Sequence, residues 1–423
     1  MPKTYVTILG KSVRYFAKLR GGGSALPGLW VERIDPDFLK RTLSQLPKGV
    51  VVVSGTNGKT TTTKMIVELL ESQGLKVFTN RSGSNFTRGV SAALIGDINI
   101  KGNLNADIAV LELDEAHAVH FVKAIAPSYC LLLNVMRDQL DRFGEIDMTA
   151  KLLLNVAKHT TKEIVLNRED PLINELSVDL DHKKISYFGL DRSLRHLFSN
   201  DNELYGKKTL DQAITKQATT LDYIDNHSAK FSINNKTINT ELKLRGIYNI
   251  FNAAAALALV KAVLGNNIDY KSLSDCLSKI EPAFGRGETI IVKGQPIELV
   301  LVKNPSGFRL GLSSFSAKGY ATMIAINDNY ADGRDMSWLW DVDFSSLKID
   351  GVSSVSGSRA YDIALRLRYD EIKVGLVEIS LSKALKKFIT ENKNRPKRIY
   401  CTYTAMLTIR KKKKKITKLE AVS

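Results

Sequence analysis

Lys59 and Thr60 directly follow Gly58, between an apolar run, Val50 to Val53, and a stretch, Thr61 to Leu70, with the pattern of a helix. Strand, glycine turn, lysine, threonine, helix is the order in which backbone N–H groups and a helix N-terminus meet phosphates. The ammonium then reaches the terminal phosphate and the hydroxyl a Mg2+ ion. Gly55, Thr56, Asn57, Gly58, Lys59, Thr60 and Thr61 are therefore the candidate ATP-binding residues, with Thr60 a candidate metal ligand. Gly55 stands closer to the lysine than GxxxxGK[ST] requires, so the match is incomplete; the plain alternative is a glycine turn without a ligand.

The metal needs hard oxygen donors beside the phosphates. Ile108 to Leu113 reads as a strand that runs into Glu112-Leu113-Asp114-Glu115, and a parallel sheet collects its ligands at the carboxyl ends of its strands. Glu112 is the candidate Mg2+ ligand, directly or through water, and ordinary surface acids remain an alternative for Asp114 and Glu115. A second polar edge, Asn134 to Gly144, follows the strand Ser128 to Val135. His117 and His120 lack a third ligand at metal-binding spacing and read as solvent or packing residues. Asn327 to Asp335 is rich in aspartate and asparagine but lacks the EF-hand spacing and its terminal glutamate.

Strands and helices alternate through Gly189, which predicts an α/β fold with a mostly parallel sheet. The pattern weakens between Asp191 and Asn239, where Phe231 to Ile233 and Ile238 suit short antiparallel strands. A helix resumes at Asn252 to Leu264, with Asn249 and Asn252 placed to cap it or to meet a nucleotide ring. Glu281 to Glu288 reads as a boundary, and Ile297 to about Ile409 as a second, smaller Rossmann-like unit. The expected division is an N-terminal segment 1–45, a central ATP-binding domain 46–285 with an insertion at 191–239, and a C-terminal domain 286–423 with a basic tail. At the other end, Lys3 to Lys18 suits an amphipathic helix or a short packed element, followed by a glycine-rich break and a Pro27-Gly28 turn.

The chain has 423 residues, enough for two or three domains with their own cores. Cys130, Cys276 and Cys401 lie far apart, which excludes a disulfide framework and suits a reducing cytoplasm. A secretory leader and a long apolar run are both absent from the pattern. The formal net charge of +17 favours anionic partners. Ten Lys or Arg and no acid lie between Arg395 and Lys418, as a solvated tail or as attraction to an anionic membrane at its inner face. Nucleic acid is not expected, because no recognition motif accompanies the charge.

The phosphate segment Ser54 to Thr62 resembles that of the Mur ligase family, ATP-dependent ligases that activate a carboxylate as an acyl phosphate for attack by an amine. Asn134 to Asp147, Lys303 to Gly307 (KNPSG), Asn327 to Trp338 and Ser356 to Arg359 (SGSR) are similar, in this order, to the MurT group of that family. That group forms one subunit of a lipid II isoglutaminyl synthase. The resemblance runs from about Leu26 to Met406 and implies a central ATPase domain followed by a smaller Rossmann-like domain. It also implies a GatD-type glutaminase as partner, and amidation of the α-carboxylate of D-glutamate in the lipid II stem peptide. By the same resemblance Lys59 neutralises the β/γ-phosphates, Thr60 and Glu112 organise Mg2+, Asn252 lies near the adenine and Arg286 reaches a phosphate on domain closure. Asp335 would orient a histidine of the glutaminase. Two departures stand out. The interval Asp191 to Asn239 has none of the four cysteines of the group's zinc ribbon, so zinc is not expected. Lys303 replaces the wider family's histidine before Asn304-Pro305, which weakens the alternative of a stand-alone ligase joining an amino acid to a peptidoglycan precursor.

Overall fold

A computed structural model describes residues 4–19, 26–80, 87–138, 146–198, 203, 218–225, 228–244, 246–282, 285–315 and 317–413. The strands are β1 (Val50–Ser54), β2 (Val77–Thr79), β3 (Ile108–Glu112), β4 (Tyr129–Leu132), β5 (Glu163–Asn167), β6 (Ile185–Leu190), β7 (Thr219–Ile224), β8 (Ser228–Ile233) and β9 (Lys236–Glu241). They form one sheet in the order β2-β3-β1-β4-β5-β6-β7-β8-β9. Pairing is parallel from β2 to β7 and antiparallel across β7-β8-β9.

β1 is central because each of its residues is apolar or small, and both its faces are covered. Successive side chains of a strand point to opposite faces. Val51 and Val53 join the core that includes the alanine-rich helix Ile247–Leu264, whereas Val50 and Val52 pack with Phe38, Leu39, Ile95 and Phe121 on the other side. The helix Ile247–Leu264 is long and apolar enough to cross a membrane by length and composition. Here it is covered by protein: Ala253 through Val260 are all buried, and these small side chains let it lie close against the helix Lys59–Ser72.

The second sheet contains β10 (Arg286–Val292), β11 (Gln295–Leu301), β12 (Ala321–Ala325), β13 (Val352–Ser356), β14 (Val374–Glu378) and β15 (Lys397–Cys401), in the order β10-β11-β15-β12-β13-β14. It is parallel apart from the β10–β11 hairpin. Two hairpins share one device. Lys293-Gly294 and Asn234-Asn235 all have positive φ, as a two-residue turn with the twist of the flanking strands requires.

The α/β class and the mostly parallel first sheet agree with the sequence pattern; four local readings change. Pro27 and Gly28 do not make a turn but lie inside the helix Leu26–Ile34. Proline is tolerated in a first helical turn, whose N–H groups lack intrahelical acceptors. Gly28 is needed because a Cβ there would lie 2.0 Å from the carbonyl oxygen of Arg88. The nucleotide helix starts at Lys59 rather than Thr61. Asn249 and Asn252 do not cap the later helix, which begins after Gly246 without a side-chain cap. β10 is not among the expected strands, although it falls within the expected C-terminal domain 286–423. It is an antiparallel edge strand with a bulge between Arg286 and Glu288, and its charged first half hides the alternation.

Candidate active site

The carboxyl ends of β1, β3 and β4 are adjacent, with Val53 in register with Glu112 and Ser54 with Leu132. From β1 the chain enters Gly55 to Gly58. A Cβ on Gly55, whose φ is 129°, would come within 3.0 Å of Asn134 N. The loop after β4 clamps this turn. Asn57 N donates to Asn134 Oδ1 at 2.9 Å, Asn134 Nδ2 donates to Asn57 O at 3.0 Å, and Met136 N donates to Thr56 Oγ1 at 3.1 Å. The turn is thus held by its neighbour in the sheet, so its N–H groups are fixed before any ligand arrives.

Gly58 closes the turn with a left-handed φ of 89° and is the N-cap of the helix Lys59–Ser72. Thr62 N donates to Gly58 O, so the N–H groups of Lys59, Thr60 and Thr61 come before the first intrahelical donor and have no acceptor within the helix. A Cβ on Gly58 would meet Asn252 Oδ1 at 2.9 Å. The half-buried Asn252 therefore sits against the phosphate turn itself.

Lys59 is 6% exposed. Its Nζ donates to Thr56 O at 3.3 Å and to Gly55 O, and lies 3.6 Å from Glu115 Oε2. Burial pulls the ammonium pKa down, but the charges of Glu115, Asp114, Glu112 and Asp138 outweigh it, and the net displacement is upward. The lysine is held charged by these carboxylates.

Thr60 Oγ1 donates to Glu112 Oε1 at 2.8 Å. Two oxygens that bind Mg2+ at adjacent octahedral positions stand about 2.9 Å apart, given metal–oxygen distances of about 2.1 Å, so this pair suits a shared ion. Glu112 is itself fixed by a reciprocal bond with β2's following residue: Glu112 N donates to Asn80 Oδ1 at 3.0 Å and Asn80 Nδ2 to Glu112 O at 2.9 Å. Two buried oxygens here have no hydrogen-bond partner among the described residues, Thr61 Oγ1 and Glu115 Oε2. Unsatisfied buried polar atoms are costly, and a water, an ion or a ligand group can meet them.

Two parts of this cluster emerge only in three dimensions, Glu115 and the residues that KNPSG brings to the edge. Glu115, 1% exposed, faces Lys59, whereas its sequence signal was only an acid near a strand end. The KNPSG segment of the second sheet comes to the same edge. Asn304 is fully buried; its Oδ1 accepts from Gly307 N and caps the helix Pro305–Ser314, while its Nδ2 donates to Asp138 Oδ1 at 3.0 Å. Ser306 Oγ donates to Arg137 O at 2.9 Å, and Lys303 Nζ lies 3.5 Å from Asp138 Oδ2. Arg286 opens β10 opposite Val300, and its side chain lies outside the described residues. So do residues 139–145 of the second polar edge and residues 414–423 of the basic tail.

Asp335 lies on the loop after β12, apart from the Lys59 cluster. The acids of that loop have different work. Asp328 accepts from Ser358 Oγ at 2.7 Å and Arg359 Nε at 2.9 Å, and the Ser358 bond, with the charge of Arg359, holds its carboxyl below the usual range. Asp332, buried, accepts from Thr404 N at 2.7 Å and Thr404 Oγ1 at 2.6 Å, which ties the loop to the helix Tyr403–Lys413. Asp335 is half-buried and, among the described residues, accepts only from Ser337 N, so its carboxylate has capacity left for a group outside the chain.

Comparison with known proteins agrees with this geometry. The Mur ligase middle domain model matches residues 53–260, and the MurT ligase C-terminal model matches residues 301–406. The chain is 31% identical to lipid II isoglutaminyl synthase (glutamine-hydrolyzing) subunit MurT of Streptococcus pneumoniae, over 96% of each chain. It is 28% identical to the subunit of the same name from Staphylococcus aureus strain COL, over 86% of this chain and 87% of that one. Among solved structures, a pseudomurein peptide ligase type C from Methanothermus fervidus shares the fold with a TM-score of 0.66 at 20% identity, covering 90% of this chain and 81% of its own. MurF from Acinetobacter baumannii does so with a TM-score of 0.65 at 18% identity, covering 93% and 79%. A lysine-bearing phosphate turn at the central strand, a carboxylate beside it and a second sheet docked by KNPSG are thus the local form of a relationship that spans nearly the whole chain, which belongs to the MurT family of Mur ligases.

Proposed function

We propose that the chain is the synthetase subunit of a glutamine-hydrolysing lipid II amidotransferase, which uses ATP to convert the α-carboxylate of D-glutamate in the stem peptide to the amide of D-isoglutamine. The observation that carries the chemistry is the Thr60–Glu112 pair, 2.8 Å apart, beside the buried ammonium of Lys59 at a helix N-terminus. The substrate class comes from the relative in Streptococcus pneumoniae, whose name specifies lipid II and glutamine.

In this reading Gly55 to Asn57, tied to Asn134, shape the turn, the N–H groups from Gly58 to Thr61 meet the β- and γ-phosphates, and Lys59 leaves Glu115 to neutralise the phosphate oxygens. Thr60 Oγ1 and Glu112 would hold a Mg2+ ion, which withdraws charge from the γ-phosphate when bound. Asn252 and Arg286 complete the nucleotide contacts. A carboxylate oxygen of the substrate attacks the γ-phosphorus, the bond to the β–γ bridging oxygen breaks, and ADP departs. The nitrogen lone pair of ammonia then attacks the acyl carbon, phosphate leaves with the carbon–oxygen bonding pair, and the nitrogen loses a proton to give the amide. Ammonia comes from a GatD-type glutaminase, whose histidine Asp335 orients, since a histidine base needs a fixed tautomer. The proposed division of labour gives residues 46–285 the nucleotide and residues 286–423 the partner.

The test is mass spectrometry of lipid II after incubation with the chain, a GatD-type glutaminase, ATP, Mg2+ and glutamine, with a parallel ammonia reaction lacking the glutaminase. Amide formation that needs ATP in both reactions, and the glutaminase only when glutamine is the nitrogen source, is expected. Incorporation of an amino acid instead of ammonia would establish a stand-alone ligase.

A further inference from the structure

The helix Thr4–Leu19 has two apolar faces where a packed surface helix needs one. At 100° per residue, Val6, Gly10 and Ala17 fall on the inner face, and a Cβ on Gly10 would lie 2.8 Å from Val31 Cγ2 of the helix Leu26–Ile34. Tyr5, Ile8, Leu9, Tyr15, Phe16 and Leu19 fall together on the outer face in a stripe about 120° wide. They are between 41% and 66% exposed. Only Ser12 interrupts the stripe. The helix Leu26–Ile34 has its own exposed row at four-residue spacing, Leu26, Trp30 and Ile34, each between 37% and 47% exposed. So many large apolar side chains on consecutive helices exceed the scattered exposure ordinary for a soluble surface.

The accompanying charge selects the occupant. Thr4–Leu19 contains Lys11, Arg14 and Lys18 and no Asp or Glu, in the next helix Arg33 is matched by Glu32, and the whole chain carries +17. An aromatic-rich apolar stripe on a purely cationic helix is the chemistry of an interfacial helix on anionic lipid, with tyrosine and tryptophan at the depth of the headgroups. We propose that the outer face of Thr4–Leu19, with the exposed row of Leu26–Ile34, is a membrane-docking surface that lies in the plane of an anionic bilayer. The surface is read from this chain's own residues. The assignment of a lipid-linked substrate under the proposed function explains why an enzyme would need it, and the inference rests on that reading only to that extent.

The experiment is flotation of the full-length chain with phosphatidylcholine vesicles, with and without phosphatidylglycerol, for the wild type and an Ile8→Glu/Phe16→Glu/Leu19→Glu variant. Circular dichroism melting establishes that the variant is folded, and sedimentation velocity reports its oligomeric state. Binding to the anionic vesicles, weakened by salt and reduced about tenfold or more in the variant, is the expected result. Absence of wild-type binding overturns the proposal. Equal binding by the variant also does so, and assigns lipid attraction to the basic tail. A concentration-dependent dimer that the variant abolishes, without vesicle binding, makes the stripe a contact between two copies. Amidation of detergent-dispersed lipid II is measured alongside, since it needs no docking. Its loss in wild type would sink the proposed function, whereas intact amidation without vesicle binding would sink only the docking surface.

Discussion

Lys59 is a buried cation whose neighbours within the chain are carboxylates and backbone oxygens, and this fixes how it behaves on substitution and with pH. Lys59→Ala is predicted to lower ATP-dependent amidation by about 10²–10³-fold; near-normal turnover at saturating ATP would remove the lysine from its role. Its folded pKa is raised, so its charged form contributes stability fully below the unfolded value near 10.4 and loses it as pH rises through the folded value. The stability difference between wild type and Lys59→Met should therefore stay flat between about pH 6 and 9 and shrink only above about pH 10.4, as read by urea denaturation across that range. Glu115→Gln keeps the shape but removes the nearest charge, 3.6 Å away. It should lower the melting temperature, since removing one partner of a buried ion pair leaves the ammonium less compensated, whereas an unchanged melting temperature would mean that Asp114, Glu112 and Asp138 hold Lys59 without it. Asp335→Asn is expected to impair the glutamine-supported reaction more than the ammonia-supported one. Equal loss with both nitrogen sources would place Asp335 in synthesis or folding.

Among elements, the strand-to-helix turn at Gly55 to Gly58 has the least tolerance. Gly58 needs both a positive φ and the absence of a Cβ, because Asn252 on the helix Ile247–Leu264 approaches it. Gly58→Ala should cost about 1–2 kcal/mol through backbone strain and weaken ATP binding. The added change Asn252→Ala removes the collision but not the strain, so denaturation of the pair should show only partial recovery; full recovery would mean that sterics alone select glycine. The same approach suits an alanine-rich helix: bulkier residues among Ala253 to Ala256 would push it from the helix Lys59–Ser72 or from the sheet and carry Asn252 away from the turn.

For the molecule as a whole, the question is what joins the two sheets at the phosphate edge. Asn304 is fully buried and serves both sides, capping its own helix and donating to Asp138 of the first sheet's loop. Asn304→Ala should destabilise by about 1–3 kcal/mol through loss of the cap and of one hydrogen bond to Asp138. A double-mutant cycle with Asp138→Ala should give a coupling of about 1 kcal/mol. A coupling near zero would mean that this bond does not hold the sheets together.

The order of residue types along the chain was sufficient for the α/β class, the lysine-bearing turn and a carboxylate, Glu112, at the carboxyl end of a strand, whereas the 2.8 Å contact between Thr60 and Glu112 is tertiary. These depend on short-range pattern: a buried strand is an apolar run, a phosphate turn is glycine beside lysine, and a carboxyl edge follows the last apolar residue. The resemblance of KNPSG and of the 327–338 loop was legible too, but not what those segments touch. Tertiary structure alone decided that Glu115 faces Lys59, that Asn252 adjoins Gly58, that Asn304 bonds to Asp138, and which aspartate of the 327–338 loop keeps its carboxylate uncommitted. It also decided that Pro27-Gly28 lies within a helix and that Thr4–Leu19 has an uncovered apolar face. Each of these rests on a contact between residues far apart in the chain, or on which of two similar faces another element covers. Local propensity is the same in either outcome, and only packing chooses between them.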